Sequence, residues 1–295
     1  MTVCMHLNPD LKAAGSGAGL SFLALEEAQK ARTFHASFKE YAPTPLVSLP
    51  GLARACGLKH FLVKDESRRF GLNAFKVLGA SFAMGKYLAR LMGRPLEGLT
   101  RGSLCSNEAR QQTGPLTFIT ATDGNHGRGV AWTARELGHK ALVFMPKGSA
   151  ASRVDNILAE GAECTVTDLN YDDTVRMSRS LAQKHGYVTV QDTVLEGYEE
   201  IPTWIMQGYT TLILEAMEQM RASGVTPTHC FLQSGVGSFP GAAAGCLAAA
   251  FGPDAPRCIV VEPHNANCIY ASAVAGDGKP HAVSGALQTI MAGLA

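Results

Sequence analysis

A single lysine, Lys76, lies where an apolar, strand-like run is followed by a helical pattern. Residues 61–63 form the apolar run, and residues 77–91 repeat apolar side chains at the spacing of a helix. A lysine in the first helical turn faces the positive end of the helix dipole, and the flanking Phe75 and Leu78 remove water from it. Both effects predict a lowered pKa and a free amine that can form a Schiff base with a carbonyl. These residues leave open the alternative that Lys76 only extends its amine into solvent.

A second polar cluster, residues 121–127, follows a predicted strand and opens a predicted helix. Asp123 and Asn125 bracket the start of that helix, where outward-facing backbone N–H groups favour an anion. The structural alternative is that one of the two merely caps the helix. Capping explains one of these residues but not the accompanying glycines and His126, so the cluster favours a functional site.

A third cluster is the glycine loop at residues 233–240, between a predicted strand and an Ala-rich helix. Gly235, Val236 and Gly237 allow backbone amides to approach a phosphate, and Ser238 adds a hydroxyl donor. A dinucleotide site is the alternative, with Glu262 as the ribose-binding acid. The third glycine of that fingerprint comes one residue late, so a single phosphate fits the loop better.

Asp192 also follows a predicted strand, within Gln-Asp-Thr at residues 191–193. Ligands in open α/β sheets bind at the carboxyl ends of strands, which makes Asp192 a candidate for chemistry. Its local sequence alone favours a turn or helix cap.

These clusters require an alternation of strands and helices, and the chain shows one. Strands are predicted at 117–121, 141–145, 164–167, 187–191, 229–232 and 257–261, and helices at 23–38, 77–91, 125–137, 151–160, 172–185 and 203–220. Gly138, Gly161 and Gly186 stand where left-handed helix caps belong. The alternation predicts an α/β fold with parallel strands and a domain junction near Asp192. Residues 93–114 lack periodicity and are predicted to form a long surface loop.

Composition excludes several classes of function. The 295 residues carry a net charge of +1, with 46% hydrophobic and 17% charged residues, so neither nucleic acid nor a membrane is expected as a partner. No apolar run is long enough to span a bilayer, and the N-terminus lacks a signal-peptide pattern. The eight cysteines are widely spaced, as in a cytoplasmic protein with reduced thiols. We expect no metal site, His264 near Cys268 being the one local pairing of potential ligands.

The order of the motifs, lysine, Gly-Asn-His and glycine loop, resembles that of fold-type-II pyridoxal-phosphate enzymes, the superfamily of tryptophan synthase β and threonine dehydratase. Within it, residues 65–76, 121–130 and 191–193 resemble the diaminopropionate ammonia-lyases. Dehydratases usually carry Ser-Phe-Lys and Ser-x-Gly-Asn-His, whereas this chain has Ala-Phe-Lys and Thr-Asp-Gly-Asn-His. The resemblance runs from about Phe38 to the end of the sequence.

The resemblance implies two open, mostly parallel sheets flanked by helices. It implies a large cofactor-binding domain of residues 1–79 and 192–295, with a smaller α/β domain, 80–191, inserted in it. Lys76 would hold pyridoxal 5'-phosphate through a Schiff base, and Asn125 would hydrogen-bond the ring oxygen. The phosphate would be bound by Gly235, Val236, Gly237 and Ser238.

The resemblance also implies an α,β-elimination of 2,3-diaminopropionate to pyruvate and two ammonia, by a homodimer. Asp123 would serve the D-isomer, Lys76 would be the base for the L-isomer, and Asp192 would handle the substrate amines. Members of the family continue well beyond residue 295, so we expect a C-terminally truncated chain. A serine or threonine dehydratase, a catalytically impaired remnant and an NAD-binding module are the alternatives.

Overall fold

The computed structural model describes residues 3–8, 19–194, 197–283 and 289. A four-stranded parallel sheet lies at the centre of its middle part, with strand order β5-β4-β3-β6. Its strands are β3 (Thr117–Ala121), β4 (Lys140–Met145), β5 (Glu163–Val166) and β6 (Val188–Thr189). Four of the five residues of β3 are buried, as expected for a central strand covered on both faces.

Each strand of this sheet is joined to the next by a crossover helix. The helices are α6 (Asn125–Leu137), α7 (Ala151–Leu158) and α8 (Tyr171–His185). Gly138, Gly161 and Gly186 have positive φ angles of 75°, 85° and 70°, so the predicted left-handed positions after the helices are confirmed. The N-terminus of α8 is capped by the side chain of Asn170, which accepts a hydrogen bond from the Asp173 N–H.

The rest of the described chain forms two small sheets and further helices. β1 (Leu46–Ser48) pairs antiparallel with β2 (Leu62–Lys64), and β7 (His229–Gln233) pairs parallel with β8 (Arg257–Val261). The helices are α1 (Leu25–His35), α2 (Pro50–Ala55), α3 (Lys76–Leu91), α4 (Arg101–Leu104), α5 (Asn107–Thr113), α9 (Glu200–Ala222), α10 (Ser238–Phe251) and α11 (Cys268–Ala275). The predicted α/β fold with parallel strands is confirmed.

Helices α3 and α9 cross with almost no space between them. A Cβ atom added to Gly208 of α9 would lie 2.3 Å from the carbonyl oxygen of Leu78. In the opposite direction, a Cβ added to Gly79 of α3 would lie 2.6 Å from the ring of Tyr209. The two glycines therefore permit a backbone-to-backbone contact that fixes α3, and with it Lys76, the first residue of that helix.

The prediction of a long loop at residues 93–114 is wrong. The segment contains α4 and α5, and Leu96, Leu99 and Leu104 in it are buried in the core. Helix α4 begins with a capping box in which the Thr100 hydroxyl accepts from the Ser103 N–H and the Ser103 hydroxyl accepts from the Thr100 N–H. Each helix is too short to show a hydrophobic period, which is why the sequence pattern concealed both.

The division into a large domain of residues 1–79 and 192–295 and an inserted domain of residues 80–191 stays a prediction. Among the described residues, no helix has the length and apolar character needed to cross a membrane.

Candidate active site

Lys76 is placed by the start of α3 and held by a residue far away in the sequence. Its Nζ donates a hydrogen bond of 2.6 Å to Oδ2 of Asp192, across 116 residues of chain. The Lys76 side chain is 27% exposed, while that of Asp192 is 7% exposed. The pair thus lies at a cavity wall, with the carboxylate behind the amine. A local turn cap, which the sequence around Asp192 favoured, does not account for this long-range ion pair.

The structure corrects the predicted electrostatics of Lys76. Burial lowers the pKa of Lys76, as the sequence argument held, but the Asp192 carboxylate and the neighbouring Tyr209 raise this pKa by more. The net pKa lies above the ordinary value of 10.5, so the amine is protonated at neutral pH. The prediction of a lowered pKa is wrong because its counterion could not be seen in the sequence near Lys76.

Asp192 is fixed by contacts on both its backbone and its carboxylate. The Ser238 hydroxyl donates a hydrogen bond of 2.5 Å to the Asp192 carbonyl oxygen. Burial raises the pKa of the Asp192 carboxyl, but Lys76 and His126 lower it by more, so the net pKa is well below the usual range. Asp192 is therefore a permanent carboxylate at neutral pH.

The cluster at residues 121–127 closes the carboxyl end of β3. Its turn is held by the Thr122 hydroxyl, which accepts hydrogen bonds from the N–H groups of Gly124 and Gly127 at 3.0 and 3.1 Å. Gly124, with φ of 151°, is the N-cap residue of α6, and the Thr122 hydroxyl is the side-chain acceptor for the first turn of that helix, through the Gly127 N–H. The alternative that Asp123 or Asn125 serves as the helix cap is thus rejected, and both residues face the cavity.

Asp123 differs from Asp192 in its charge environment. Burial raises the pKa of the Asp123 carboxyl, the nearby Arg153 lowers it, and Asp192 raises it, with a net increase. Arg153 also donates a hydrogen bond of 3.0 Å to the Asp123 carbonyl oxygen. An acid with a raised pKa at a cavity wall exchanges protons more readily at neutral pH than a fully ion-paired one.

The glycine loop leads from β7 into α10. Gly237 has φ of 97°, and a Cβ atom there would lie 3.0 Å from Ile269. Ser238 begins the helix, where the first backbone N–H groups have no intrahelical partner and favour an anion. Glu262, the residue required by the dinucleotide alternative, instead accepts hydrogen bonds from the backbone N–H groups of Ile269 and Tyr270 at 3.0 and 2.8 Å. That carboxylate caps α11.

One cavity of about 540 Å³ brings the predicted residues together at the N-termini of α3, α6 and α10. The residues predicted for the site and found on its wall are Lys76, Asp123, Asn125, Asp192, Gly235, Val236, Gly237 and Ser238. Their spacing in the sequence gave no distance between them. Asp123, Asn125 and Asp192 follow strands β3 and β6 of the four-stranded parallel sheet, whereas Lys76 and the loop at 235–238 follow strands of the two small sheets.

Sequence reasoning assigned no role to several groups at this site. His126, Arg153 and Tyr171 line the cavity, and Tyr209 lies behind Lys76. His126 belongs to the Gly-Asn-His motif, so its position was a usable signal. Tyr171 and Tyr209 come from α8 and α9, and nothing in their local sequence distinguishes them from core tyrosines.

Comparison with known protein families matches residues 38–295 to the family described as pyridoxal-phosphate dependent enzyme. The chain belongs to this family. A diaminopropionate ammonia-lyase of Salmonella typhimurium is 52% identical over 291 residues, which are 98% of this chain and 72% of that protein. A diaminopropionate ammonia-lyase of Escherichia coli strain K12 is 54% identical over 269 residues, 91% of this chain and 66% of the relative.

Solved structures give the same result. The crystal structure of selenomethionine-substituted holo diaminopropionate ammonia lyase from Escherichia coli superposes with a TM-score of 0.86 at 52% identity, covering 93% of this chain and 67% of that one. The chain thus spans about two thirds of the length of that enzyme.

The residues present fit pyridoxal phosphate. Donors for one phosphate come from the backbone N–H groups at the N-terminus of α10, and the left-handed Gly237 opens the loop for close approach. The Lys76 amine lines the same cavity as this loop. A primary amine and a phosphate cradle on one cavity wall are the two fixed points that an aldehyde bearing a phosphate ester requires.

Proposed function

We propose that this chain catalyses the pyridoxal-phosphate-dependent α,β-elimination of 2,3-diaminopropionate, as the D-isomer, the L-isomer or both, to pyruvate and two ammonia. The observation that carries the proposal is the convergence of the Lys76 amine, the cradle at residues 235–238 and the raised-pKa acid Asp123 on one cavity. The identity of 52% to an enzyme named for this reaction supports the choice of substrate.

Lys76 would bind the cofactor aldehyde, and Gly235, Val236, Gly237 and Ser238 would bind its phosphate. Asn125, at the first turn of α6, would donate its side-chain amide to the ring oxygen. The bound cofactor supplies an electron sink that makes the Cα proton of an amino acid acidic. The remaining work, which is holding the substrate and moving protons, belongs to side chains of this chain.

Asp123 would remove the Cα proton of the D-isomer, and Lys76 that of the L-isomer. A raised pKa suits Asp123 to accept and return a proton, while Asp192, ionised at neutral pH, would hold an ammonium group of the substrate. A diamino substrate carries one more cation than serine does, which gives an additional carboxylate at the site a physical purpose.

A serine or threonine dehydratase remains the alternative within the same chemistry. The lysine motif is Ala-Phe-Lys and the second motif is Thr-Asp-Gly-Asn-His, and both match the ammonia-lyase variants. A catalytically impaired remnant is the second alternative, and the release of pyruvate tests it.

The experiment is to add pyridoxal phosphate to the purified chain and to compare pyruvate release from D- and L-diaminopropionate with that from D- and L-serine. Borohydride reduction followed by peptide mass spectrometry should locate the cofactor on Lys76. The Lys76→Ala variant should lose this adduct, whereas Lys59→Ala, a change at an exposed lysine, should keep it.

Faster turnover of serine would refute the diaminopropionate assignment in favour of the dehydratase. An adduct that persists in Lys76→Ala would refute the role of Lys76. A chain that forms the adduct but releases no pyruvate would support the impaired remnant.

The assembly and location of the protein belong to the same proposal. We propose a cytoplasmic homodimer with a small amino acid as its ligand. All eight cysteines are unpaired in the structure, as a reducing compartment would leave them. Sedimentation equilibrium tests the dimer, and fractionation of the source cells tests the location.

A further inference from the structure

His126 has a protonation state that its surroundings determine. Its Nε2 lies 2.8 Å from the carbonyl oxygen of Val190. A carbonyl only accepts hydrogen bonds, so Nε2 must carry the proton. The neutral imidazole then has a bare lone pair on Nδ1. That atom is buried and has no hydrogen-bond partner within the part of the chain that the structure describes.

The bare Nδ1 faces the counterion of Lys76. It lies 3.9 Å from Oδ2 of Asp192, the same oxygen that accepts the hydrogen bond from Lys76 Nζ. A closure of about 0.7 Å would bring the two atoms into hydrogen-bond range. Oδ2 of Asp192 therefore lies between Lys76 and His126. Among the described residues, these are the only two groups within ion-pair distance of that oxygen.

Other titratable or charged groups near this arrangement come from each neighbouring element. They are Asp123 beside α6, Arg153 on α7, Tyr171 on α8, Tyr198 before α9 and Tyr209 on α9. Burial raises the pKa of each of the three tyrosine hydroxyls, so none of them releases a proton near neutral pH.

We propose that His126 stores the proton that Lys76 must lose to become a nucleophile. The proton leaves Lys76 Nζ for Asp192 Oδ2, and Asp192 passes it to His126 Nδ1. At the start the charges on Lys76, Asp192 and His126 are +1, −1 and 0, and at the end they are 0, −1 and +1. No proton goes to solvent, and the buried site keeps a net charge of zero.

The electrostatics of the site favour this transfer over loss of the proton to water. While Lys76 is charged, burial and Lys76 lower the pKa of His126, although Asp192 raises it. Once Lys76 is neutral, its repulsion is gone and the attraction of Asp192 remains. A buried carboxylate without a cation is strongly unfavourable, and an imidazolium beside it removes that cost.

This inference deepens the proposed function, but its tests use the chain without cofactor or substrate. Its outcome is therefore independent of whether the chain eliminates ammonia. The first test is ¹⁵N nuclear magnetic resonance of the histidine side chains, with the His126→Gln variant used to assign the His126 signals. Glutamine keeps an N–H donor for the Val190 carbonyl but cannot store a proton.

In the wild-type chain, Nδ1 of His126 should stay unprotonated down to pH values below those of an ordinary histidine. In Lys76→Met, which removes the cation without removing Asp192, the His126 pKa should rise by at least about one unit. A smaller rise would overturn the proposal.

A second test does not depend on the folding of Lys76→Met. Trace acylation of Lys76, followed by mass spectrometry across a pH series, reports the neutral amine. Internal proton exchange is independent of pH, so the wild-type rate should reach a plateau as pH falls. In His126→Gln the rate should instead keep falling tenfold for each pH unit.

His139→Gln is the matched control, because His139 is a partly buried histidine that accepts a hydrogen bond from Leu116 N–H, away from the cavity. This variant should retain the plateau. The same continuous slope in the wild-type chain and in His126→Gln would overturn the proposal, since a purely structural histidine has no effect on the shape of this profile.

Discussion

Replacing Asp192 with asparagine should convert Lys76 from a strongly protonated lysine into a more reactive one. The two charges lie 2.6 Å apart. At an effective dielectric constant of about 20, unit charges at this distance attract by about 6 kcal/mol. The Lys76 side chain is 27% exposed, so solvent screening reduces this by roughly half, to about 3 kcal/mol. The expected fall in the Lys76 pKa is thus about two units.

The assay is competitive acylation at pH 9, in which the Lys76 peptide is compared with the peptide of an exposed lysine, Lys59, in the same sample. A pKa lower by about two units should increase the Lys76 rate by about 100-fold. Asp123→Asn is the matched control, because Asp123 lines the same cavity but is not among the groups that chiefly shift the pKa of Lys76. It should change the rate by less than about threefold.

An unchanged or lower Lys76 rate in Asp192→Asn would refute this reasoning. It would mean that burial, and not the ion pair, determines the protonation of the lysine.

Two predictions concern stability. Gly208→Ala places a methyl group 2.3 Å from the Leu78 carbonyl oxygen. The cost of overpacking, about 1–3 kcal/mol, should outweigh the roughly 1 kcal/mol gained in helix propensity. A urea titration should therefore show a lower free energy of unfolding. Gly102→Ala, whose methyl group meets nothing within 3.6 Å, should not destabilise the chain, and equal stability of the two variants would contradict the predicted clash. Burial, and to a lesser extent Arg69, lowers the pKa of His35 to about 3. Below pH 6.5 the unfolded chain therefore binds more protons at His35 than the folded chain does. The free energy of unfolding should fall by about 3 kcal/mol between pH 7 and pH 4. His35→Gln should lose that part of the acid sensitivity, whereas the exposed His229→Gln should keep it.

Much of the fold could be predicted from the sequence because its elements carry local signals. The strand at residues 117–121 and the helix at residues 125–137 have the predicted bounds, since an apolar run and a terminal glycine define them. The short helices α4 and α5 could not be predicted, because four and seven residues show no period. Their stability comes from buried leucines and from side-chain caps, which only the folded chain reveals.

In the candidate site, too, residues with a local sequence signal could be predicted, and residues placed only by long-range contacts could not. Local patterns identified Lys76 at a helix start, and Asp123, Asp192 and the loop at 235–238 at strand ends, where ligands of open α/β sheets bind. Tyr209 had no such signal. It reaches the rear of Lys76 only because Gly79 and Gly208 let two helices touch.

The wrong prediction for the Lys76 pKa shows what a local argument omits. Its desolvation argument was right in direction, but the decisive charge, Asp192, lies 116 residues away. That ion pair has opposite consequences for chemistry, because it fixes the amine in position and also keeps it protonated. A site built in this way needs a group that accepts the proton without leaving the buried carboxylate uncompensated. Nδ1 of His126 has no hydrogen-bond partner among the described residues and lies 3.9 Å from the same oxygen, so it meets that requirement in a way that neither a lowered lysine pKa nor solvent does.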